Sequence, residues 1–231
     1  MGLSLSLIAI SSGFIITALI FCIINITFFH VPTVIVALVM LMVGGVFFFV
    51  CYRHQNKRYT EAMQLWADKG DFVYENYALS EIEKSIDSVY KSKLSINLCN
   101  LYSEKGQIDK AYEALRKANP MKNNKDFNNF YPLGKKFKML YYNNIIHLNL
   151  LENDTVCAFA NYEDGKKYID EFINTNIYSV GLLHTLSSLY LASGDTTKAM
   201  QLLKEAMSKC NDEDTMKQLH KLRGKILAKM I

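Results

Sequence analysis

The chain has 231 residues, half of them apolar, with 26 basic and 22 acidic side chains and a formal net charge of +4. Every one of those charges lies after residue 52, the first being Arg53, so an uncharged apolar segment is joined to an ordinary charged domain. That division, with only five cysteines and three prolines, excludes a secreted disulfide scaffold, a collagen and a disordered tail.

Two apolar runs open the chain, Leu3–Phe29 and Pro32–Tyr52. At about 1.5 Å of rise per helical residue, each can cross a hydrocarbon core of about 30 Å. Pro32 lacks a backbone donor and disfavours helical angles at Val31, so His30–Pro32 is expected to form the tip of a hairpin between two spanning helices. A cleaved signal peptide fits less well, because the start is uncharged and the first run is too long. Arg53, His54, Lys57 and Arg58 follow the second run directly. Positive flanks stay in the cytoplasm, so both termini are expected there. No Asp, Glu, Lys or Arg sits at membrane depth, which removes the usual ingredient of an ion path or proton relay. Residues 1–52 therefore read as an anchor, in which Gly44 and Gly45 would let two helices approach closely.

After Arg53 apolar residues recur at helical spacing, and only Pro120 and Pro132 interrupt them. Residues 53–91, with the lone Trp66, are expected to form juxtamembrane coupling helices. Short turns at Lys69-Gly70-Asp71, Glu104-Lys105-Gly106, Glu152-Asn153-Asp154 and Ser193-Gly194-Asp195 separate segments of helical length. Two segments match each other. Leu98, Leu101, Tyr102 and Gly106 recur at the same offsets as Leu186, Leu189, Tyr190 and Gly194. The match extends through Lys110-Ala111 with Lys198-Ala199, Leu115 with Leu203 and Ala118 with Ala206.

This pattern resembles the tetratricopeptide repeat, a 34-residue helix–turn–helix unit in which a Gly permits the turn and a small Ala lets the two helices pack closely. The implied fold is all-α: two N-terminal transmembrane helices, then an α-solenoid of antiparallel helix pairs over 92–231. Its clear units are about 92–125 and 180–213, with a degenerate pair at about 132–175. Neither clear unit has the early Trp of the family, since Ser95 and Leu183 stand there. The two clear units lie further apart than two regular intervals, and the Asn-rich stretch Asn119–Tyr131 is expected to absorb most of the excess. Asn211-Asp212-Glu213-Asp214 places acids at a helix start. The segment at about 212–230 therefore reads as a capping helix, with Lys217, Lys221, Lys225 and Lys229 beside an apolar stripe. A basic amphipathic helix touching anionic lipid is the alternative for that segment.

Such arrays hold an extended peptide or a helix against the face of their first helices. The resemblance places Lys93, Asn100, Ser103 and Glu104 on that face in one unit, and His184, Ser188 and Leu191 in the other. Asn100 matches the Asn with which some members hold a terminal carboxylate. Ile96 replaces the companion Lys, however, and the second unit offers His184, so that clamp is not carried across.

Residues 116–142 are strongly basic and rich in aromatics, with Asp126 the single acid. A solvated linker followed by a helix with core aromatics explains this, and contact of Lys122, Lys125, Lys135, Lys136 and Lys138 with the membrane surface is the functional alternative. Nucleic acid is not an expected partner. The cysteines make no zinc-like spacing, the histidines make no metal-binding pair on one helix turn, and no Gly-rich phosphate loop is present. No catalytic residue, metal or cofactor is expected. Abundant Lys over Arg, with frequent Asn and Ile, is the composition of an AT-rich genome. The sequence as a whole reads as a bacterial inner-membrane protein with two spans, an adaptor for a protein or peptide partner at the cytoplasmic face. The alternatives are a non-catalytic subunit of a larger membrane complex, assembled through the hairpin, and a homo-oligomer.

Overall fold

The computed structural model describes residues 33–85, 88–118, 132–175 and 177–230. Among these residues there are nine helices and no strand. The helices are α1 Thr33–Lys69, α2 Asp71–Lys84, α3 Ser88–Glu104, α4 Ile108–Ala118, α5 Pro132–Leu151, α6 Thr155–Phe172, α7 Ser179–Ala192, α8 Thr196–Lys209 and α9 Glu213–Met230. Two compact units divide between Leu94 and Ser95, within α3. The first apolar run, the proposed hairpin tip and the connection 119–131 lie outside the described residues.

In the first unit α1 is one unbroken helix of 37 residues. At about 1.5 Å per residue it extends about 55 Å, from inside the second apolar run past the positive flank. The first of the expected coupling helices is thus the continuation of α1, and α2 is the second. Taken over the described residues, no helix is long and apolar enough to cross a membrane. Met42, Val43 and Val46 on the apolar half of α1 are exposed in the isolated chain. Gly70, at a φ of 79°, ends α1 with its N–H on the Trp66 carbonyl at 2.9 Å. Trp66 donates its indole N–H to Asp71 Oδ1 at 2.8 Å and stacks on Tyr74, ring centroids 4.4 Å apart. Tyr74, Ala78 and Ile82 form the buried stripe of α2, at four-residue spacing. Arg58 of α1 pairs with Glu81 of α2 and lies 4.4 Å from the centroid of the Tyr90 ring.

The second unit is built on a repeated turn. Gly106, Asn153 and Gly194 have φ of 69°, 61° and 89°, the left-handed geometry that closes a helix. Counting from these three residues brings the helix pairs α3–α4, α5–α6 and α7–α8 into one register. Five residues on stand Ala111, Ala158 and Ala199, all fully buried where the two helices of a pair meet. Asp154 and Asp195 cap α6 and α8 alike, each accepting a backbone N–H at 2.9 Å, from Cys157 and Lys198. The sequence shows the middle pair only as a degenerate repeat because Asn153 replaces the turn glycine and Asn149 the tyrosine of Tyr102 and Tyr190.

Twelve residues beyond each turn stand Ala118, Gly165 and Ala206, and eleven before it Ser95, Tyr142 and Leu183. The middle repeat carries the largest side chain at the second position and no side chain at the first. A Cβ on Gly165 would stand 2.3 Å from Tyr142 Cγ. The glycine is the space that the tyrosine ring needs.

The pairs then stack. Within the unit α4 and α7 pack on α5, α6 packs on α7, and α9 packs on α8 and α7. The Tyr112 hydroxyl of α4 reaches α5, 2.6 Å from Asn149 Oδ1 and 2.8 Å from Glu152 Oε2. Inside the third pair, buried Ser187 donates to the Ala199 carbonyl at 2.8 Å. Helix α9 starts on Asp212, which accepts the Thr215 N–H at 2.7 Å, and buries Leu219, Leu222 and Ile226 against the array. That placement uses Leu219, Leu222 and Ile226 for capping, while Leu227 and Met230 stay exposed.

Candidate partner-binding face

The first helices of successive pairs, with α9 continuing the series, carry an unusual charge pattern. α5 contains Lys135, Lys136 and Lys138 but no carboxylate. α7 contains no charged residue, and α9 has no acid after its first turn. Half-buried His184 on α7 lies within electrostatic range of His147 on α5 and Lys225 on α9. Lys229 reaches the Leu191 carbonyl of α7 at 3.4 Å, which sets the basic edge of α9 along α7.

Burial lowers the pKa of both imidazoles, and His147 and Lys225 lower that of His184 further. A group depressed in this way binds fewer protons folded than unfolded. Its contribution to stability is present above the ordinary imidazole pKa of about 6.5 and is lost as pH falls through the folded value. Lowering pH from about 7.5 to about 5 is therefore expected to lower the urea midpoint. The loss should be smaller in the His147→Gln, His184→Gln double variant. An equal loss in the two proteins would contradict the assignment.

The residues expected on this face do not gather into one cluster. Asn100 and Glu104 are exposed on α3, whereas Ser103 turns its hydroxyl back to the Cys99 carbonyl at 2.7 Å. Lys93 belongs to the first unit, where its ammonium lies 4.9 Å from the centroid of the Tyr59 ring. Ser188 is half-buried on α7. Leu191 is only 8% exposed and belongs to the hydrophobic core, so it supports the face rather than lining it. His147 was not among the expected residues, yet it stands six residues before its turn, as Asn100 and Ser188 do. The register was the missing signal.

Three lysines of the basic aromatic stretch, on α5, have partners within the unit. Lys135 pairs with Glu171 at 2.9 Å, and Lys136 lies 4.8 Å from the centroid of Tyr178. Lys138 is 7% exposed, with its ammonium 3.3 Å from the Tyr168 hydroxyl. Burial raises the pKa of Tyr168, but its hydrogen bonds to Lys138 and Lys167 outweigh burial and lower it overall. Lys138 thus cannot touch a bilayer surface directly, and Lys122 and Lys125 lie outside the described residues. Cys99 is buried, which pushes its thiol up to about 12, so it packs rather than reacts. Among the described residues no three His, Cys, Asp or Glu side chains gather as a metal site.

Residues 180–208, which span nearly all of α7 and α8, match the family model of the tetratricopeptide repeat. The α7–α8 pair is thus a tetratricopeptide-like repeat within an all-helical array. No curated protein and no solved structure matches the chain. The tetratricopeptide match falls on the pair whose first helix carries His184 and Ser188, and the stacked pairs before it share its turn geometry.

Proposed function

We propose that the chain is a membrane-anchored adaptor that holds a protein or peptide partner at the cytoplasmic face of the membrane. The observation that carries this reading is the tetratricopeptide match on α7 and α8, since arrays of this kind serve protein binding rather than catalysis. The anchor rests on the sequence alone, on the 52 residues without a charged side chain and the basic flank that follows them. Anchoring would give even a weak interaction force, because a partner confined to the same membrane is met at high effective concentration.

Cross-linking in native membranes, followed by identification of what co-purifies with the full-length protein, tests the reading. A defined partner lost on Asn100→Ala, His184→Ala substitution is the expected result. A partner that survives those changes, but is lost when residues 1–52 are exchanged for an unrelated two-span anchor, would assign the chain instead to a larger membrane complex. Self-cross-links alone would replace the adaptor with a homo-oligomer.

A further inference from the structure

Helix α9 has two sides, and the fold uses only one of them. Leu219, Leu222 and Ile226 are buried in the core of the second unit. At about 3.6 residues per turn, Lys217, Lys221, Gly224 and Ala228 come out opposite that stripe, and all four are exposed. A Cβ built on Gly224 would meet no atom of another described helix within 4 Å, so this side is open. Exposed Lys225 borders it on one flank and Leu227, 45% exposed, on the other, with Met230 exposed at the free end of the helix. Five cations and no carboxylate follow Asp214. Lys217 pairs with Asp214 at 2.9 Å, whereas Lys221, Arg223 and Lys225 meet no carboxylate among the described residues.

We infer that this outer side of α9 docks on an anionic bilayer surface, with Lys221 and Lys225 at the lipid phosphates and Leu227 and the terminal Met230 entering the headgroup region. The contact goes beyond the adaptor reading and does not depend on residues 1–52 being an anchor. Cations beside exposed apolar side chains on one helix suit an interface, where anionic headgroups attract the former and the latter leave water. Lysine stems lie along apolar surface while their ammonium groups stay hydrated. Gly224 and Ala228, between the two flanks, leave the helix surface low enough to lie close to the lipid. Leu219, Leu222 and Ile226 take no part in this contact, so α9 caps the array and touches lipid without unfolding. A nucleic acid would need rings to stack on, and α9 has no aromatic residue. An acidic peptide would pair with the lysines but leave Leu227 and Met230 in water.

The test uses the full-length protein held in phosphatidylcholine nanodiscs, with an environment-sensitive fluorescent amino acid in place of Ala228, titrated with added vesicles at fixed physiological salt. Vesicles of equal parts phosphatidylcholine and phosphatidylglycerol are expected to shift the emission to shorter wavelength and to saturate the shift. Vesicles of phosphatidylcholine alone are expected to leave it unchanged. Lys221→Glu with Lys225→Glu should weaken binding about tenfold or more, and Leu227→Ser with Met230→Ser should weaken it as well. Lys221→Arg with Lys225→Arg keeps the charge and should bind like the wild type. Lys167→Glu with Lys204→Glu makes the same change of charge at exposed positions of α6 and α8, and should alter binding less than about twofold. Circular dichroism and the thermal midpoint confirm the fold of each variant. Absence of a shift with the mixed vesicles would overturn the inference. Equal losses from the two paired reversals would reduce the effect to unspecific charge and overturn it too, as would octaglutamate binding more tightly than the mixed vesicles, which would assign the face to an acidic protein. Failure on any of these counts leaves the adaptor reading in place, because that reading is decided by partner loss on substitution at positions 100 and 184.

Discussion

Gly165→Ala is expected to destabilise the second unit, although the same exchange inside an exposed helix stabilises by about 1 kcal/mol. The reversal has a steric cause. An alanine methyl at this position would stand 2.3 Å from Cγ, 2.5 Å from Cβ and 2.8 Å from Cδ1 of Tyr142. These atoms lie at the root of the tyrosine side chain, so a rotamer change at its far end gives no relief. Overpacking of this kind costs about 1–3 kcal/mol, and the lost gain in helix propensity does not offset it. The thermal midpoint should fall by several degrees. In the neighbouring pair, Leu183 holds the tyrosine's position and Ala206 the glycine's. Tyr142→Leu should therefore rescue Gly165→Ala, leaving the double variant more stable than the sum of the single losses by about 1–2 kcal/mol. A higher midpoint for Gly165→Ala alone would show that the two helices are not in this close approach.

Ile226→Asp is expected to release α9 from the array. Ile226 is fully buried, with Leu219 and Leu222 on the same stripe, in the hydrophobic core of the unit. An uncompensated buried charge costs about 3–5 kcal/mol, so α9 should detach before the rest of the unit unfolds. Limited trypsin digestion reads this directly: Lys217, Lys221 and Lys225 are exposed already, and their backbone becomes cleavable once the helix detaches and frays. Met230→Asp, at a position 53% exposed, should digest like the wild type. Undiminished protection of α9 in Ile226→Asp would contradict its role as the cap.

Local chemistry was legible in the sequence where the repeat uses its preferred residues. Gly106 and Gly194 mark their turns, and Ala111, Ala118, Ala199 and Ala206 mark the close packing of their pairs, so α3–α4 and α7–α8 could be placed from residues alone. The middle pair was visible only as two helices. Its turn is made by Asn153, one of the few residues besides glycine that tolerate a positive φ, and its close approach by Gly165 rather than an alanine. A pattern search weighs each position separately. The exchange of size between Tyr142 and Gly165 becomes intelligible only once the two helices are seen against each other.

The candidate face was legible in part for a related reason. His184 and Ser188 follow from the register of a clear repeat, whereas His147 depends on aligning the degenerate one. The approach of Lys229 to α7 depends on where the cap packs, which a stripe of lysines alone does not disclose. Conversely, Lys135, Lys136 and Lys138 looked like a surface in the sequence and are engaged by Glu171, Tyr178 and Tyr168. Long basic side chains are easily satisfied by neighbours that lie thirty or more residues away in the chain.

Site-specific photo-cross-linking in native membranes tests the central claim most directly. A photoreactive residue placed at position 147 or 188, on first helices, is compared with one at position 204, on the second helix α8. The account predicts an adduct with a defined second protein from positions 147 and 188 and none from position 204. Adducts of equal yield from both faces, or from position 204 alone, would contradict the claim that the first-helix face is where this protein holds its partner.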